Sequence, residues 1–321
     1  MFTLLVAAAL AGPQVDLHLD TPTQLHRKSL TMDAPEGLEA GIAQLQAGGT
    51  SVAVEVLWPP REAEWQAHAT LLLELLEADI QRLDALVLAT TPAEARAASE
   101  AGKIAVIVSM EGAHGLGDGD WAAALDGFYA RGLRLLGVTW SMSNRFAGSS
   151  GDGGGGLTEE GRALVQRARE LKIVLDVSHA SRQATLEICE RSPVPIIASH
   201  SDAHGINENA RNLTDEEIVC IAKTGGVVGV NFHAPFVGGE RDVKAVADHV
   251  DYLAKLGGHR VVALGSDYDG MITVPKGLED ASKLPALWTE LEERGWTEEQ
   301  LDGLKGENFL RAWTIAQMER P

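Results

Sequence analysis

Six residues of this chain have side chains suited to holding a divalent cation and fall where one centre could gather them. The stretch Val15-Asp16-Leu17-His18-Leu19-Asp20 alternates apolar and polar residues. A strand has a period of two, so His18 and Asp20 share one face roughly 7 Å apart. Imidazole and carboxylate are both good ligands for zinc, and two ligands on one rigid strand lose little entropy when a cation arrives. Glu111, His179, His200 and Asp267 are the further candidates. Two His, a His-Asp pair and a carboxylate able to span two cations suit two ions better than one. Glu111 would bridge, His18 and Asp20 holding one ion and His179 and His200 the other. A water between such ions would lose a proton near neutral pH. Taken singly, each residue also has a plain reading as a satisfied core histidine or an ion-paired carboxylate.

What would position them is a set of eight apolar runs of strand length, Val15–Asp20, Ser51–Leu57, Ile104–Glu111, Leu133–Trp140, Ile173–Ser178, Pro195–Ser199, Val227–Phe232 and Val261–Ser266. They are β-branched and nearly continuous in apolar character, as strands buried on both faces of a parallel sheet are. Amphipathic helices are expected between them, over Trp65–Leu86, Asp120–Arg131, Glu159–Leu171, Arg182–Glu190, Asp215–Lys223 and Val243–Leu256. Thr214 to Glu217 reads as a capping box, and Gly257 as a helix stop. Eight strand–helix repeats in one domain imply an α/β fold, a (β/α)8 TIM barrel of the amidohydrolase or metal-dependent hydrolase type, over residues 15–321. Enzymes of that fold place their chemistry at the C-terminal ends of the strands. The first strand ends in His18 and Asp20, the third in Glu111, the fifth at His179, the sixth at His200 and the eighth at Asp267. All six fall at that one face.

Composition narrows the partners. The 321 residues are 45% hydrophobic and carry a net charge of −19, which repels phosphate backbones and argues against a nucleic-acid partner. Cys189 and Cys220, the two cysteines, lie in segments read as helices and are expected to be free thiols. Residues 1–14 form an apolar arm resembling the core and small-residue cleavage zone of a secretory signal, although no Lys or Arg precedes it. The run leans towards export, with a cytoplasmic location as the alternative. No run is long enough to span a membrane.

The matching stretches Asp16-Leu17-His18-Leu19-Asp20, Met110-Glu111-Gly112-Ala113-His114, Leu175-Asp176-Val177-Ser178-His179, Ile197-Ala198-Ser199-His200-Ser201 with Arg211-Asn212, Gly229-Val230-Asn231-Phe232, Gly265-Ser266-Asp267-Tyr268-Asp269-Gly270 and Glu307-Asn308-Phe309-Leu310-Arg311 resemble the membrane (renal) dipeptidase family of binuclear zinc peptidases. The resemblance implies a metallo-dipeptidase with two zinc ions per chain, ligated by His18, Asp20 and Glu111 and by Glu111, His179 and His200. It implies a metal-bridging hydroxide oriented by Asp267, which passes its proton to the leaving amine. Arg211 would pair with the carboxylate of a dipeptide's C-terminal residue, including a D-residue. Asp269 would fix the loop before Gly270. A homodimer is expected by analogy alone.

One position departs from the family. Its fourth strand ends in Thr-His, where this chain has Thr139-Trp140. An indole N–H donates one hydrogen bond but cannot become cationic, so Trp140 is read as a substrate-binding wall and oxyanion stabilisation falls more on the metals. The alternatives are another binuclear amide or lactone hydrolase, or an impaired metal-binding homologue. Of the remaining histidines, His68, His249 and His259 are expected to be solvated, while His26 is left without a role. His114, His204 and His233 are expected in loops near the pocket, and Gly151 to Gly156 as a mobile loop at its mouth.

Overall fold

The computed structural model describes residues 12–318. Most of the predicted N-terminal arm lies outside them. Nine strands form one parallel sheet: β1 (Gln14–Leu19), β2 (Thr50–Leu57), β3 (Leu86–Leu88), β4 (Ile104–Met110), β5 (Leu133–Gly137), β6 (Val174–Asp176), β7 (Ile197–Ala198), β8 (Val227–Val230) and β9 (Val262–Leu264). Eight of them run in the order β1-β2-β4-β5-β6-β7-β8-β9, and these are the eight predicted from the sequence. The additional strand, β3, pairs with the first half of β4 from Ile104 to Val106, and β5 takes over that edge from Val108.

The ends of the sheet meet. Asp267 donates its N–H to the His18 carbonyl at 3.0 Å, and Asp20 donates its own to the Tyr268 carbonyl at 2.9 Å. Ser266 N–H adds a bond to the Asp16 carboxylate at 2.9 Å. The nearly closed parallel barrel is therefore joined across β1 and β9 by the residues expected to do chemistry.

Alternation along the strands divides the core in two. Val15, Leu17, Val52, Val54, Ala105, Ile107, Leu135 and Ile197 fill the barrel, whereas Leu19, Ala53, Leu57, Val106 and Val108 face the helical layer. The predicted helices are present with ends moved by a few residues, the largest shift being Trp65–Arg82 in place of Trp65–Leu86. The Thr214–Glu217 capping box is made, and Gly257 ends its helix with left-handed Gly258 beyond it. A C-terminal helix not read from the sequence, Asn308–Met318, sends Phe309, Leu310 and Trp313 into the same cluster as the barrel lining. It packs against β8 and β9, while Gly306 just before it approaches the Pro13 carbonyl, so it covers the barrel end opposite the strand C-termini. Cys189 and Cys220 are free. No helix of the described residues is long and apolar enough to cross a membrane.

Candidate active site

Each predicted residue arrives at the C-terminal mouth of the barrel on a strand end. His18 closes β1, Asp20 follows it, Glu111 follows β4, and His179, His200 and Asp267 stand two or three residues beyond β6, β7 and β9. All are buried. Glu111 is central: its Oε1 lies 2.8 Å from His179 Nε2, 3.4 Å from His200 Nε2 and 3.7 Å from His18 Nε2. His179 and His200 approach each other at 3.0 Å through their Nε2 atoms, and His18 Nε2 is 3.6 Å from Asp20 Oδ2. Four ligands at 2.0–2.1 Å from a tetrahedral zinc are separated by roughly 3.3 Å, so these spacings match the edges of coordination shells.

Orphaned atoms give an independent test of fit. His18 Nε2 and Asp20 Oδ1 are buried without a hydrogen-bond partner, a costly state unless a cation is expected there. Two sets of ligand atoms lie within 4.8 Å of one another, His18 with Glu111 and His200, and His18 with Asp20 and Asp267. This grouping differs in part from the expected pairing, because Asp267 stands close enough to His18 and Asp20 to serve as a ligand as well as a base. The residues present fit a divalent-cation site.

A buried network behind the imidazoles sets which nitrogen faces the centre. Ser199 Oγ donates its one proton to Asp176 Oδ2 at 2.5 Å. It must then accept from His200 Nδ1 at 2.8 Å and from His18 Nδ1 at 3.2 Å. Both rings therefore carry hydrogen on Nδ1 and turn Nε2 inward, which in the neutral ring is the lone pair a metal needs. Asp176 is held in turn by Ser178 Oγ and the Ser199 N–H. Nothing in the local sequence singles out Ser199: a serine beside a histidine is common, and its partner Asp176 lies on another strand.

The electrostatics favour positive charge. Burial alone would lower the His18 imidazole, but the pull of Asp20, Glu111 and Asp267 outweighs it and raises the group to about 10. Burial pushes Glu111 well above the usual carboxylate range, and Asp267 up to about 7, the latter against the restraint of His18, Asn231 and Arg211. His179 and His200 are pushed well down by burial, with Arg211 and His18 adding to the effect.

Asp267 sits in the left-handed region at φ 67°, followed by Asp269 at 65° and Met271 at 59°. Its carboxylate accepts from Asn231 Nδ2 at 3.1 Å. Asp269 accepts from the Glu39 and Ala40 N–H groups and from Thr21, in the loop-fixing place expected of it. Gly270, which follows Asp269, is pressed so closely on the centre that a Cβ there would lie 2.3 Å from Asp267 Oδ1 and 2.9 Å from Asp20 Oδ2.

These residues open on a cavity of about 320 Å³ whose far wall is Trp58, Trp140, Phe236 and Ile272. Trp140 packs edge-on against Trp58 at 5.1 Å, as a wall. Arg211 lines the same cavity, buried, and its guanidinium donates to the Ser178 and His200 carbonyls and Ser201. No described carboxylate pairs with it, and its Nε is unsatisfied, so it is not the surface ion pair a lone arginine would suggest. A larger cavity of about 570 Å³, against the helices Glu159–Glu170 and Arg182–Arg191, holds no histidine or aspartate.

Among the other histidines, His249 is fully buried, bonded to Ala203 N–H and the Val237 carbonyl rather than solvated. His114 is buried, with Nε2 bonded to the Pro59 carbonyl, and does not line the cavity. His233 does line it. The Gly151–Gly156 run is tied down: Ser143 binds Asp152, while Ser149 and Ser150 bond the carbonyls of Trp140 and His179.

The sequence model of the membrane dipeptidase family, peptidase family M19, matches residues 7–320. The chain belongs to this family. It is 37% identical over 265 residues, 78% of its own length and 95% of the other's, to the uncharacterized protein in pqqA 5'region of Klebsiella pneumoniae. Among solved structures it is similar to a Rhodobacter sphaeroides metallo peptidase crystallised with a phosphinate mimic of the dipeptide L-Ala-D-Ala. The TM-score is 0.87 at 28% identity, over 95% of this chain and 99% of that one. The M19 dipeptidase AC is similar at TM-score 0.86 and 29% identity, with the same coverage. The fold is thus the amidohydrolase-type (β/α)8 barrel and the enzyme class that of a metallo-dipeptidase.

Proposed function

We propose that this metallo-dipeptidase binds two zinc ions through His18, Asp20, Glu111, His179 and His200, with Asp267 as the acid–base group beside them, and hydrolyses dipeptides that carry a free C-terminal carboxylate, L,D-dipeptides included. The observation that carries this reading is Arg211, a buried guanidinium without a carboxylate partner, in the same cavity as the metal-type cluster. Bidentate guanidinium–carboxylate geometry suits a dipeptide terminus. The ligand of the Rhodobacter neighbour, a mimic of L-Ala-D-Ala, supports tolerance of a D-residue.

Divalent ions supply Lewis acidity here, polarising the scissile carbonyl and bringing water's pKa near neutrality. The chain's own residues do the rest. Asp267, held by Asn231, takes the proton of the attacking water and returns it to the leaving amine as the C–N bond breaks. A carboxyl raised to about 7 by burial is poised for both halves of that transfer. Trp58 and Trp140 wall the cavity, and Arg211 holds the substrate's far end.

The test is a panel of L,L- and L,D-dipeptides with the zinc-loaded protein, run beside Asp267→Asn, with zinc counted by elemental analysis. Turnover that falls by a factor of about 100 or more in the variant, at unchanged zinc content, is the expected outcome. A protein holding two zinc ions that cleaves no dipeptide overturns the reading.

A further inference from the structure

Arg211 is not alone at its end of the cavity. His233 follows β8 and Phe232 and precedes the short helix Ala234–Val237, half-buried on the cavity wall. Its Nδ1 lies 3.2 Å from the Thr273 backbone N–H. A backbone N–H can only donate, so Nδ1 carries the lone pair, and the proton of the neutral ring is on Nε2. Among the described residues Nε2 makes no hydrogen bond. The ring is held in place, because it packs edge-on against Phe236 with centroids 4.5 Å apart, and its own N–H binds Asn231 Oδ1. The same Phe236 ring lies under the Arg211 guanidinium, 5.7 Å away. One aromatic side chain thus spaces a fixed cation and a fixed neutral donor around a common volume. Burial, then the charges of Arg211 and Arg241, keeps the imidazole below its ordinary range, so it does not become a competing cation.

We infer that His233 is a specificity-determining residue whose Nε2–H donates to the substrate's C-terminal carboxylate beside Arg211, so that the two together favour the free acid over an amide. This rests on the dipeptide reading above and names the second half of its carboxylate recognition. A carboxylate accepts several hydrogen bonds, and a guanidinium already committed to the Ser178 and His200 carbonyls leaves some of them to another donor.

The experiment uses the zinc-loaded full chain, the best dipeptide of the panel as substrate and its C-terminal amide as competitive inhibitor. His233→Phe keeps the ring and removes the donor, His233→Gln keeps a donor, and Arg211→Ala is the reference. His233→Phe is expected to raise KM for the free acid roughly tenfold, with the effect on KM exceeding that on kcat and the amide's Ki barely moved. His233→Gln should recover most of the loss. A KM unchanged in His233→Phe while Arg211→Ala raises it, or a loss confined to kcat, overturns the role of His233 and leaves the dipeptide reading standing. Unchanged KM in both variants overturns carboxylate recognition itself. Should His233→Phe fail to fold, His233→Asn, which shortens the reach of the donor, is expected to raise KM above the His233→Gln value, and equality with wild type overturns the role.

Discussion

Ser199 has one hydroxyl proton and four polar side chains around its oxygen, those of His18, Asp176, Ser178 and His200. Because the proton goes to Asp176, both His18 and His200 are fixed in a metal-ready tautomer by a single side chain. Ser199→Ala is therefore expected to weaken metal binding roughly 10- to 100-fold while leaving the buried core intact, read by competition with a chromophoric chelator. Affinity equal to wild type would mean the rings are oriented by other contacts. Gly270 acts at the same scale in a different way. Space beside Asp20 and Asp267 is closed to any side chain, and the left-handed backbone at Asp267 brings its carboxylate against Gly270. The ligand types were legible from the sequence because His and Asp at strand ends are unusual in an apolar run. Ser199, Asn231 and Gly270 were not, since their roles depend on atoms brought from other strands.

At the scale of elements, the strands were readable because a parallel strand buried on both faces is a long apolar run, and five such runs ended in a ligand type or just before one. β3 escaped because three residues, Leu86–Leu88, only partly buried, carry no period. The helix Asn308–Met318 escaped because its apolar residues answer to the barrel end it covers, a partner absent from its own local pattern. His249 was misjudged for a related reason: a histidine on an amphipathic helix looks solvated until the neighbouring loops place a donor and an acceptor at its two nitrogens. His114 lets the packing of the loop after β4 be tested by pH. Burial lowers its imidazole below 6.5, with the Pro59 carbonyl opposing. Below pH 6.5 the unfolded chain takes up a proton that the folded chain refuses, so folding stability falls as pH drops. His114→Gln is expected to flatten that fall below pH 6.5 in thermal melts of the same protein. Parallel slopes would show that His114 is protonated in the fold.

For the whole molecule, metal and proton compete for the same charge. His18, raised to about 10 by its acidic neighbours, stabilises the metal-free fold fully below pH 6.5, and that contribution is lost as pH rises through about 10. Metal binding requires the neutral ring, so the gain from zinc runs the other way and grows with pH. Chelation should lower Tm by several degrees, since a ligand at about a thousandfold excess over its Kd adds about 4 kcal/mol. Calorimetry of zinc binding at pH 7.5 in buffers of different ionisation enthalpy should register net proton release. No release would mean that His18 is already neutral in the metal-free protein.

The bonds that join β1 to β9 link residues separated by most of the chain, His18 to Asp267 and Asp20 to Tyr268. During synthesis the first of each pair waits while everything between is made. The cation-holding corner cannot exist until translation has passed Asp267, so a chain still being extended carries the histidines of the enzyme without its reactivity.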